Sequence, residues 1–171
     1  MNELERWADF YLLMAEAAAA LIGLLFVVIT LGAERKLADA ANKIAIYLTP
    51  TAVYFASVLF LAALLTFPNH TRLTATLCTC LVGVVGLVYS ASLVIRRGIK
   101  KSYDELRDLT SYAGVPFAAY ALLVLGGVLF LHDPQRGLTL VAAGMLSLLA
   151  VAIRNSWAIA IDVASTSPDR H

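Results

Sequence analysis

Two ionisable residues stand inside long apolar runs, Glu16 and Arg154. A charge in the hydrocarbon of a bilayer is costly and usually marks function or a buried pair. Both residues sit among small neighbours. Ala19, Ala20 and Gly23 lie three, four and seven positions beyond Glu16, and Ala15, Ala19 and Gly23 form a small-xxx-small run. Ala150, Ser147 and Ala143 lie four, seven and eleven positions before Arg154. Small faces let helices approach closely. Each charge is therefore expected to point at another helix, with Ala15, Ala19, Gly23, Ala143, Ser147 and Ala150 as packing positions.

Depth argues against pairing the two charges directly. Glu16 lies about six residues, roughly 9 Å, below the edge where its span begins. Arg154 lies about sixteen residues, roughly 24 Å, below the same edge. The gap of about 15 Å exceeds what the side chains readily bridge, even with arginine reaching back along its helix. Glu16 is expected to hold a buried or vestibule position, with His70, Arg72 and His132 as partners on its own side. The competing reading places it at the interface beside Trp7, Phe10 and Tyr11, an aromatic belt. Arg154, with Asn155, Ser156 and Trp157, reads as an anchor at the opposite interface. In that case Ala158 to Val163 would lie along the membrane.

Other polar groups carry weaker signals. His70 and His132 fall at span ends, with Asp133 beside the second. Two histidines and a carboxylate suit a metal or a pH sensor, although lone loop histidines are common. Tyr47, Thr51 and Tyr54 make a polar stripe around Pro50. Such a stripe on a broken helix can line a transport path, and helix-packing hydrogen bonds are its commoner use. Cys78 and Cys80 have one residue between them, too few for a zinc pair, and they point to different helix faces. They read as small packing residues, as do Gly83, Gly86, Gly126 and Gly127.

The elements that must position these residues follow from composition. Of 171 residues, 60% are apolar and 15% charged, and the mean hydropathy is +0.79. Soluble domains average about 45–50% apolar and about 25% charged. The apolar residues form continuous runs, not alternation or one stripe, which excludes a soluble core as their purpose. Disorder and a secreted disulfide scaffold are excluded by the same figures. A net charge of +1 gives no general attraction to nucleic acid.

A helix needs roughly 20 apolar residues to cross a hydrocarbon core about 30 Å thick. Five segments come close to this length, at about 10–32, 44–67, 73–95, 115–132 and 138–160, the last fading between Ile153 and Val163. The expectation is an all-α integral membrane protein, one compact bundle of five transmembrane helices. Pro68 and Pro134 break the chain between spans, and Pro116 sits near a helix start. Pro50 either kinks the second span or marks its true first turn. Between the third and fourth spans, Ser102 and Glu105 have capping-box spacing. Residues 103–112 are read as a short surface helix or a solvated loop.

Cytoplasmic loops carry the excess of lysine and arginine. The first and third connections and the C-terminal tail hold Arg35, Lys36, Lys43, Arg96, Arg97, Lys100, Lys101, Arg107 and Arg170. The opposite side holds only Arg6, Arg72 and Arg136. The N-terminus is therefore expected outside and the C-terminus in the cytoplasm. The acidic front end, with Glu3, Glu5 and Asp9, does not suit a signal peptide, so the first span reads as a retained helix.

No phosphate loop, zinc-protease helix, nucleophile elbow or dinucleotide fingerprint occurs. The main expectation is a multi-pass protein of the cytoplasmic membrane with no enzymatic activity and no cofactor. It would be a subunit, assembly factor or modulator working through helix contacts. Its partners would be the bilayer and either copies of itself or another membrane protein. The alternative is a small oligomeric channel or transporter with Glu16 as its intramembrane charge. A membrane enzyme ranks last, because no nucleophile and base fall at matched depth.

Overall fold

A computed structural model describes residues 3–34, 38–68, 71–98 and 114–165. All elements among them are helices: α1 (Glu3–Arg6), α2 (Ala8–Glu34), α3 (Ala38–Thr66), α4 (Arg72–Gly98), α5 (Val115–Leu129) and α6 (Pro134–Ser165). Four helices contain stretches long and apolar enough to cross a membrane: Ala8–Thr30, Thr49–Thr66, Arg72–Ile95 and Pro134–Ile161. The apolar α5 has 15 residues, about 22 Å at ~1.5 Å per residue. That is short of a hydrocarbon core of about 30 Å. The surface helix expected over 103–112 lies outside the described residues.

Two boundaries differ from expectation for physical reasons. α3 runs unbroken through Pro50. Pro50 therefore lies inside the helix and does not mark its first turn. Its ring nitrogen has no hydrogen to donate to the carbonyl of Ile46. α6 continues to Ser165 without a break, so Ala158 to Val163 extends the helix and does not form a separate segment. No glycine or proline falls between Gly144 and Ser165 to stop it.

Asp133 explains where α6 begins. Its Oδ1 accepts the Arg136 backbone N–H at 3.2 Å, which satisfies one of the orphan donors of the first turn. Thr71 does the same for α4, accepting the Thr74 N–H at 3.2 Å. In both cases a short polar side chain precedes an apolar run.

α3 packs against α2 and α6, and α5 lies between α4 and α6. The core stripe of α6 is Val141, Met145, Leu148, Ala152, Asn155 and Ile159, all buried. Its steps of four and three residues give a nearly straight seam along one side of a helix. α2 and α4 are peripheral and show broad apolar surfaces, among them Leu13, Phe26, Leu77, Leu81 and Val88. Water-soluble monomers rarely expose apolar area on this scale; a bilayer accepts it.

Glycine sets how closely α5 meets both neighbours. Gly126 faces α6, where a Cβ would fall 2.8 Å from the Gly137 carbonyl oxygen. Gly127 faces α4, where a Cβ would fall 2.9 Å from Cys80 Sγ. Consecutive residues turn by about 100° around a helix axis, so one glycine pair serves two interfaces. Gly83 and Gly86 answer from α4, against Val124 and the Tyr120 ring.

Candidate functional site

α2 divides sharply into two faces. Tyr11, Met14, Ala18 and Leu25 are buried against the bundle. Leu12, Glu16, Ala19, Gly23, Phe26 and Thr30 are exposed and follow one another at steps of four and three. Ala20 is exposed as well, and Ala15 is half-buried. A Cβ built on Gly23 would meet nothing within 4 Å. The small-residue face around Glu16 thus turns away from the bundle of the described residues. The reason is that α2 is apolar all round, so the size of its side chains does not decide which side is buried. The large, well-packed Tyr11 and Met14 take the inner face.

Glu16 lies eight residues beyond Ala8, about 12 Å into the helix at ~1.5 Å per residue. Trp7, Phe10 and Tyr11 cluster above it, with ring centroids 5.4–6.3 Å apart. Such clusters suit the interface, and Glu16 lies roughly one and a half to two and a half turns deeper. Among the described residues Glu16 has no hydrogen bond or ion pair. Of its expected partners, Arg72 and His132 are exposed at helix ends, and His70 lies outside the described residues. As a pore charge Glu16 would need several copies of the chain, since it lies on an outer surface.

Arg154 and Asn155 are neighbours with opposite fates. Arg154 is exposed, whereas Asn155 is 4% exposed and occupies the core seam of α6. Arg154 lies twenty residues beyond Pro134, about 30 Å at ~1.5 Å per residue, which is one hydrocarbon thickness. It is flanked by exposed Trp157. Depth and company are those of an interface anchor. Ala150 is also exposed, while Ala143 and Ser147 are half-buried. The Ser147 hydroxyl donates to the Ala143 carbonyl at 2.8 Å, within its own helix. Among the described residues the Oδ1 of Asn155 has no hydrogen-bond partner; Tyr11 Oη and Ser90 Oγ share that condition.

The polar stripe of α3 faces inward. Thr51 and Tyr54 are fully buried; the Tyr47 side chain lies outside the description. Tyr54 packs against Tyr120 of α5, with ring centroids 6.3 Å apart. Tyr120 is the junction that sequence reasoning missed. Its ring fills the space beside Gly86 of α4, and its hydroxyl lies 2.8 Å from Ser57 Oγ of α3. One side chain therefore links three helices. The signal was indirect: a lone tyrosine in an apolar run, with Gly83 and Gly86 at helical spacing elsewhere.

Two more polar links join α4 to α5. Thr76 Oγ1 donates to the Gly127 carbonyl at 3.1 Å, and the Cys80 thiol to the Val124 carbonyl at 3.8 Å. Both cysteines are free thiols. At the end of the bundle near Pro134, Asp133 is committed to Arg136, with Nε to Oδ2 at 3.3 Å. Among the described residues no group of three His, Cys, Asp or Glu could hold a metal.

No family model matches the chain, and no curated protein or solved structure matches it. The fold and the site define a class: an all-helical bundle with an apolar exterior suited to a membrane. Among its interior polar groups, Ser57, Thr76, Cys80 and Tyr120 join helices. Glu16, within the first span, faces outward among small residues.

Proposed function

We propose that this chain is a small multi-pass protein of the cytoplasmic membrane that acts without catalysis, through helix contacts. It would be a subunit, assembly factor or modulator of a larger membrane assembly. The observation that carries this reading is the outward stripe of α2. A carboxyl group within a span, surrounded by Ala19, Ala20 and Gly23 and without a partner among the described residues, suits a surface that another helix covers. Ionisable residues in spans almost always face protein or water. Small residues are what close helix approach requires.

Five crossings, with the N-terminus outside and the C-terminus in the cytoplasm, belong to the same proposal. The distribution of lysine and arginine supports it. So does the alternation of helix direction: contacts of Gly83 with Val124 and of Gly127 with Cys80 run α4 and α5 antiparallel. Contacts of Gly137 with Phe130 and of Gly144 with Leu123 do so for α5 and α6.

Extraction in mild detergent tests the reading. The expected result is a discrete assembly, either an oligomer or a complex of defined stoichiometry. A monodisperse monomer with no associated protein refutes it.

A further inference from the structure

We draw no further inference here: the strongest candidate, the buried pair Ser90 of α4 and Asn155 of α6 towards the end of the bundle where α5 begins, carries nothing, because the structure brings no described group to either unpartnered atom and so does not define what would bind there.

Discussion

The hydroxyls of Tyr120 and Ser57 lie 2.8 Å apart across 63 positions of sequence, and the two residues are not equally dependent on each other. Ser57 also donates to the Val53 carbonyl of its own helix at 2.8 Å. Tyr120 is fully buried and relies on Ser57. Ser57→Ala therefore strands a buried phenol and is expected to cost about 1 kcal/mol. Tyr120→Phe leaves serine satisfied and is expected to cost less. In the Tyr120→Phe background, Ser57→Ala should become nearly neutral. Denaturant unfolding of the four variants in mild detergent measures the order; a Tyr120→Phe cost above that of Ser57→Ala would contradict it.

Gly86 and Gly23 make a contrasting pair. A methyl group at Gly86 collides with the Tyr120 ring, which is held by its hydroxyl and cannot swing freely. Gly86→Ala is expected to destabilise the bundle by about 1–3 kcal/mol, the usual range for overpacking. At Gly23 there is open space, so Gly23→Ala is expected to be neutral or to stabilise by up to about 1 kcal/mol through helix propensity. Thermal unfolding of the isolated chain distinguishes the two.

Tyr11 is fully buried, and its hydroxyl has no hydrogen-bond partner among the described residues. Burying an unpaired hydroxyl opposes folding. Tyr11→Phe keeps the stacking with Trp7 and Phe10 and is expected to leave stability unchanged or raise it by about 1 kcal/mol. A clear loss of stability would show that the hydroxyl is bonded in the membrane.

The proposed topology is tested by fusions. A reporter active only in the cytoplasm, placed after His171, should be active; one active only outside the cytoplasm should be silent. The reverse pattern would contradict five crossings with the N-terminus outside.

Much of the architecture is legible in the chain because hydropathy measures depth. The runs around Leu24, Phe60, Leu81 and Leu146 had to become helices that avoid water, and Pro68 and Pro134 had to separate them. Direction around the helix axis is another matter. α2 is apolar on every side, so nothing in its pattern says that Tyr11 and Met14 turn inward and Glu16 and Ala19 outward. The expectation that Glu16 points at another helix came from residue size, which is silent about which side is buried and about whether that helix belongs to the same chain. Arg154 and Asn155 show the same limit from the other direction. They read as one polar group in sequence, yet a single helical step of about 100° sends one to the core and the other to the surface. Tyr120 escaped notice because its partners Gly86 and Ser57 come from two other helices.

The claim that matters most is that α2 presents its Glu16 face to another protein helix. The most direct measurement is the mass of the detergent-extracted chain by light scattering, compared for the natural sequence and Glu16→Gln. The account predicts a discrete species heavier than the 18.4 kDa chain for the natural sequence, and its loss or weakening on Glu16→Gln. A natural chain that runs as a lone monomer, or an assembly indifferent to Glu16, would contradict it.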